Sequence, residues 1–303
     1  MSFYAMPDGE SLFVREIGQG QPVLILSGLG MQSWQWIPYL LPNLKNYRFI
    51  IPDWRGFGGS KHCKIPNDLN AIQSHWSDVE CLIKQLALTD FILIAYSMGA
   101  TTAMHGMQYA QLGEQLKAYL HIDQTPKIPS DANWPYGLFG KKYPKFMQLL
   151  QKMSDFLTEH QHLERIEQLE TQPRQTLIKM WLRFIQLQGS NKLSPLLFKL
   201  ALKRPKLQKH LLPMQRLDYL SWYIRNYLEH DQDYRQAITD LRCPTTFFIG
   251  ERSSLYAAQG QIQIAQGLAQ SQQIMFKHSG HTPLLTEPFK FSRELSSFLN
   301  QSH

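Results

Sequence analysis

Ser97 stands in Ile94-Ala95-Tyr96-Ser97-Met98-Gly99-Ala100, where an apolar run gives way to a helical pattern. A serine hydroxyl is a poor nucleophile at neutral pH and becomes effective beside a base that takes its proton. A neutral imidazole suits that task. His281, in His278-Ser279-Gly280-His281-Thr282-Pro283, is the candidate base, with Gly280 and Pro283 setting a rigid loop around the ring. His278 is the nearby competitor but lacks the following proline. His75, His105, His160, His162, His210 and His230 fall in helical patterns and read as surface or packing residues.

A serine–histidine pair implies acyl transfer, which also needs two N–H donors aimed at the developing oxyanion. The Met98 N–H follows the serine directly. The Leu29 N–H comes from Leu26-Ser27-Gly28-Leu29-Gly30, where Gly28 and Gly30 let the backbone approach closely. The strand–serine–helix context is that of a nucleophile elbow, G-x-S-x-G. Ala95 replaces the first glycine, a mild steric change, and Gly99 and Ala100 provide the small neighbours that a strained serine needs.

The positioning elements can be read around these residues. Continuous apolar runs at Val23–Leu26, Arg48–Pro52 and Asp90–Ala95 predict strands buried on both faces, and Ser11–Glu16, Lys117–Asp123, Pro244–Gly250 and Gln273–Phe276 read as further strands. Helical spacing predicts helices over Asp68–Leu88, Ala100–Leu112, Ala257–Leu268 and Phe289–Leu299. Alternating short strands and helices imply an α/β fold with a mainly parallel sheet. From Gln124 to Leu241 the strand signal fades into Leu, Met and Trp at helical spacing. The expected plan is a core domain of residues 1–123 and 242–303 interrupted by a helical cap over 124–241.

Composition narrows the class. The 303 residues are 43% hydrophobic and 18% charged, as in a folded globular protein. No stretch approaches the ~18 consecutive apolar residues of a membrane span, and the N-terminus lacks a secretory pattern; a cytoplasmic setting is expected. Cys63, Cys81 and Cys243 lie far apart, which argues against a disulfide framework or a zinc site, so no metal or cofactor is expected. The net charge of +7 is spread out, densest from Lys192 to Arg216, where Lys199, Lys203, Arg204, Lys206 and Lys209 alternate with leucines. That pattern reads as the wet face of amphipathic helices and not as a nucleic-acid site.

Pro22–Gly28, Asp53-Trp54-Arg55-Gly56-Phe57-Gly58-Gly59-Ser60, Ala95–Gly99 and Ser279–Pro283 together resemble the α/β-hydrolase superfamily. The branch they are most similar to is AB hydrolase-1, which includes esterases and cofactor-free haloperoxidase-like enzymes. The motifs occur in family order and span the chain apart from the helical insertion. The resemblance implies an eight-stranded, mostly parallel sheet and the chain order serine, acid, histidine. The chain departs from the pattern twice: Ser27-Gly28 replaces a usual His-Gly, and Ser253 stands where G-x-x-D commonly supplies the acid, in Gly250-Glu251-Arg252-Ser253. Some members carry the acid after the strand following the nucleophile helix. Asp123 ends such a strand, beyond whose carboxyl end reactive groups gather. Asp123 is therefore the preferred acid and Glu251 the alternative. Asp53 resembles a structural family residue.

The cap's many aromatics, Trp134, Phe146, Trp181 and Trp222 among them, favour an apolar substrate. The expected activity is hydrolysis of a small or medium carboxylic ester through an acyl-enzyme on Ser97. Lactone, thioester or C–C bond hydrolysis and acyl transfer would use the same residues. A non-catalytic ligand-binding protein with this fold is the alternative from another class. The sequence leaves the oligomeric state open.

Overall fold

The computed structural model describes residues 2–188, 214–229 and 232–302. By compactness the chain divides into two units, residues 1–138 with 232–303, and residues 139–231. Among the described residues no helix is long and apolar enough to cross a membrane.

The first unit is built on eight strands: β1 (Ser2–Ala5), β2 (Ser11–Gly18), β3 (Gln21–Leu26), β4 (Tyr47–Pro52), β5 (Phe91–Tyr96), β6 (Leu116–Ile122), β7 (Thr245–Gly250) and β8 (Ser271–Phe276). Their order across the sheet is β1-β2-β4-β3-β5-β6-β7-β8. β2 pairs antiparallel with β1 and β4, and every other pairing is parallel. The eight-stranded, mostly parallel sheet agrees with the sequence reading. β1 was not foreseen. It is a four-residue edge strand with Phe3 65% exposed, so pairing with β2, and not local apolar pattern, defines it.

β5 shows why the central strands read as unbroken apolar runs. All six of its residues are buried, because helices cover both faces of a parallel sheet. Trp36, Phe291 and Leu295 pack against its sheet neighbours in one apolar core. Each fully buried side chain of this kind contributes roughly 1.5–3 kcal/mol.

Helix α1 (Ala71–Gln85) starts later than its periodicity suggests because Asn70 caps it, accepting from the Gln73 N–H at 2.9 Å. Helix α2 (Met98–Ala110) stops at Gln111, which takes the left-handed conformation. The segments that flank the second unit in sequence pair with each other. Ile128 N–H donates to the Gln232 carbonyl and Tyr234 N–H to that of Pro126, both at 2.8 Å.

The second unit is helical: α3 (Tyr143–Glu159), α4 (Thr171–Leu187) and α5 (Leu217–Glu229). Phe146 sits at its centre, with ring centroids 4.8 Å from Phe139, 6.0 Å from Phe184 and 6.1 Å from Tyr227. Most of the basic group from Lys192 onward, with His210 and His230, lies outside the described residues. Arg216 is described; it pairs with Asp218 and stands over the Tyr219 ring. In the first unit, short helices α6 (Arg235–Thr239) and α7 (Ala258–Gln266) precede the closing α8 (Pro288–Gln301).

Candidate active site

Ser97 forms the turn between β5 and α2 with φ 53° and ψ −120°. A non-glycine residue there costs on the order of 1–3 kcal/mol, so its surroundings must hold it. Four hydrogen bonds do. Its N–H donates to the Ile122 carbonyl at 3.1 Å. Its carbonyl accepts from Ala100 N–H at 2.8 Å, Thr101 N–H at 3.1 Å and Gln124 Nε2 at 3.1 Å. Gly99 is required for a different reason: a Cβ there would lie 2.1 Å from the Leu26 carbonyl oxygen, so β3 and α2 could not approach. Ala95 is fully buried in β5 and fits without a glycine.

His281 Nε2 lies 2.8 Å from Ser97 Oγ, and its Nδ1 lies 2.8 Å from Asp123 Oδ2. An ionised carboxylate only accepts, so Nδ1 carries the proton and Nε2 is free to accept from the serine. The ring packs against Tyr96 and Tyr256, with centroids 5.3 and 5.4 Å away. The Tyr96 hydroxyl also donates to the His281 carbonyl at 2.9 Å. Burial, and then the charge of Asp123, push the Tyr96 phenol well above its ordinary range, so it stays protonated.

Asp123 is fully buried and leaves the β6 ladder with φ 40°. Each carboxylate oxygen accepts two hydrogen bonds. Oδ1 takes Gly250 N–H at 2.9 Å and Gln261 Nε2 at 3.1 Å; Oδ2 takes His281 and, at 2.8 Å, the Ser253 hydroxyl. A buried carboxylate without such donors would be too costly to keep charged. Ser253 thus touches Asp123, the candidate for the acid whose usual place it occupies. Sequence reading noticed that serine but not its partner, and Gln261 and Tyr256 carried no motif at all.

Gly28 and Leu29 follow β3. A Cβ on Gly28 would meet the Tyr96 ring at 2.9 Å and Ser97 Cβ at 3.4 Å, so this turn runs directly beside the serine. Two indoles brace it: Trp54 Nε1 donates to the Ser27 carbonyl at 2.8 Å and Trp36 Nε1 to Ser27 Oγ at 3.0 Å. Ser27 therefore has a structural use where a histidine is common. Met98 opens α2, where the first N–H groups of a helix have no intrahelical acceptor.

The other candidates are placed elsewhere. The Glu251 side chain is exposed, and its N–H bonds to the Phe276 carbonyl at 3.1 Å. Asp53 Oδ1 accepts from Ser33 N–H at 2.6 Å and Oδ2 from Gly59 N–H at 2.8 Å, so it ties two loops together. His121 is buried two residues before Asp123 but turns to Tyr119 Oη and the Gln124 carbonyl. Burial lowers its pKa to about 4. The helical unit has a basic cleft of about 450 Å³, lined by Lys142, Lys145, Lys152 and Arg183 among others; Ser97, Asp123 and His281 do not line it.

A family model described as alpha/beta hydrolase fold matches residues 21–288. The chain belongs to the alpha/beta hydrolase family. Within that family it is 25% identical over 292 residues to an AB hydrolase superfamily protein, YisY, of Bacillus subtilis, covering 96% of each chain. It is 24% identical over 292 residues to a pimeloyl-(acyl-carrier protein) methyl ester esterase of Vibrio atlanticus, covering 95% of this chain and 98% of that one. An esterase from Exiguobacterium antarcticum shares the hydrolase fold, with a TM-score of 0.71 at 21% identity and 99% coverage of both chains.

Proposed function

We propose that this alpha/beta hydrolase is a serine esterase that cleaves a small or medium, largely apolar carboxylic ester through an acyl-enzyme on Ser97. The reading rests on the hydrogen-bonded line from Ser97 Oγ through His281 to Asp123, both links at 2.8 Å. In the first half-reaction His281 Nε2 takes the serine proton as Oγ attacks the ester carbonyl. Asp123 holds Nδ1–H and offsets the charge of the imidazolium. The Leu29 and Met98 N–H groups receive the oxyanion. His281 then gives its proton to the departing alkoxide, leaving an ester on Ser97. In the second half-reaction His281 removes a proton from water as it attacks that ester, then returns the proton to Ser97 Oγ as the bond to the acyl carbon breaks and the acid departs.

The apolar preference is supported by the side chains at hand. Tyr96 and Tyr256 flank the imidazole, and Leu29, 43% exposed, follows the oxyanion glycine. The curated relative from Vibrio atlanticus is itself a methyl ester esterase. A cytoplasmic setting belongs to the same proposal and is checked by cell fractionation.

The test is a panel of p-nitrophenyl esters with acyl chains of increasing length, together with a fluorophosphonate label. The expected result is a burst of nitrophenol and a single label on Ser97, both abolished in Ser97→Ala. A Ser97→Ala variant as active as the parent would refute the mechanism. Faster consumption of lactones or thioesters, or transfer to an added alcohol in preference to water, would keep the mechanism and change the substrate.

A further inference from the structure

We propose that Ser253 is a positioning residue for the Asp123–His281 pair, aiming the carboxylate and setting the basicity of the imidazole; this rests on the acyl-transfer reading above. The Ser253 hydroxyl donates to Asp123 Oδ2 at 2.8 Å and accepts from the Tyr256 N–H at 3.3 Å. A backbone N–H can only donate, so it occupies the acceptor side of the hydroxyl and turns the single serine proton toward the carboxylate. The same oxygen holds His281 Nδ1–H at 2.8 Å. Two donors on Oδ2, with Gly250 and Gln261 on Oδ1, leave the carboxylate one orientation.

Among the described residues no lysine or arginine hydrogen-bonds Asp123. Apart from the imidazole itself, its charge is supported by the neutral groups of Ser253, Gln261 and Gly250. A cation in their place would neutralise the charge that His281 needs. Among the described residues, Tyr96 on β5 and Tyr256 in the loop after β7 face the imidazole, while His121 on β6 feels the charge of Asp123 with its ring turned to Tyr119 and Gln124. Tyr96 and His121 are held neutral by burial. Glu251 and Arg252, in the same loop, are exposed.

Removing the Ser253 hydroxyl leaves more negative charge available to Nδ1–H, which favours imidazolium and raises the pH at which His281 becomes a base. It also frees the carboxylate to turn. Ser253→Ala, Ser253→Cys and Ser253→Thr are made in the full chain, and two readouts are taken. NMR titration of the His281 ring needs no substrate and reads the pair in the resting protein. The pH profile of kcat/KM on a p-nitrophenyl ester reads it in turnover.

In Ser253→Ala, the titration and the acid limb should both move up by about half a pH unit. The kcat should fall about 2- to 10-fold with KM little changed. Ser253→Thr keeps the hydroxyl and should restore both. Ser253→Cys, nearly isosteric with a weak donor, should move the titration in the same direction as alanine and carries the test if alanine fails to fold. An unmoved His281 titration in the folded alanine or cysteine variant, or a threonine variant that behaves like alanine, overturns the proposal. Absence of ester turnover in the parent would overturn the esterase reading alone, because the titration still reads Ser253.

Discussion

The Ser97 N–H donates to the carbonyl of Ile122 at 3.1 Å, and Ile122 is followed at once by Asp123. One rung between β5 and β6 therefore spaces the strained serine from the carboxylate. Both residues take positive φ immediately past their strand ends, 53° for Ser97 and 40° for Asp123, which lifts them together above the carboxyl edge of the sheet. His281 arrives from the loop after β8 and spans the gap.

Under the proposed mechanism, replacing the buried Asp123 should disable His281. Asp123→Asn leaves the size of the side chain unchanged but removes the charge and favours the wrong imidazole tautomer, so kcat should fall about 10³- to 10⁴-fold. Glu251→Gln, at an exposed side chain, should keep parental activity. Steady-state kinetics on one p-nitrophenyl ester separates the two, and an active Asp123→Asn would remove Asp123 from the mechanism.

The turn after β3 offers a steric test of the proposed oxyanion site. Gly28→Ala places a methyl group 2.9 Å from the Tyr96 ring and 3.4 Å from Ser97 Cβ. Displacing the Leu29 N–H by a fraction of an ångström should lower kcat about 10²-fold with little change in KM. Circular dichroism should report a native fold. Equal kcat in the variant would mean that the Leu29 N–H does not receive the oxyanion.

Acid should weaken the fold well above the carboxylate range. Burial pushes His121 down to about 4, and burial together with Arg55 pushes His75 down to about 3. The unfolded chain binds those protons near pH 6.5 and the folded chain does not. Stability is thus fully present above pH 6.5 and declines as pH falls toward 4, then 3. By pH 5 the loss should be about 2 kcal/mol per histidine. Urea unfolding at pH 7.5 and 5.0 measures it, and His121→Asn should remove about 2 kcal/mol of the decline, to which His105, also pushed down to about 4 by burial, adds its own share. Equal stability at the two pH values would show that these imidazoles protonate inside the fold.

Arg55 tests a different dependence. Its guanidinium clamps Asp78 at 2.7 and 2.6 Å and reaches Asp8 at 2.5 Å, with Arg55 and Asp78 both buried. Arg55→Met leaves the Asp78 carboxylate buried without its cation, which should cost about 3–5 kcal/mol. The double variant Arg55→Met, Asp78→Leu should recover much of that loss in a denaturant titration. No recovery would place the cost in packing and not in charge.

What local sequence determined here is what short-range physics controls. Five central strands, β3 to β7, were legible because both of their faces are covered, and Ser97 because a strand-to-helix turn needs small neighbours such as Gly99. The His281 loop was legible from Gly280 and Pro283. The ends of α1 and β6 shifted by one to three residues, where Asn70 caps the helix and Asp123 turns out of the ladder. Tertiary structure decided the rest. Asp123 and His281 are 158 residues apart, Ser253 lies 130 from Asp123, and Gln261 lies 138 away. A hydrogen bond between such residues depends on strand order and register, so neither member carries a local mark of it. The same holds for β1, which exists only because β2 offers it an edge. Sequence supplied a candidate nucleophile, a candidate base and two candidate acids; the pairing of β6 with β5 and β7 brought Asp123 to His281.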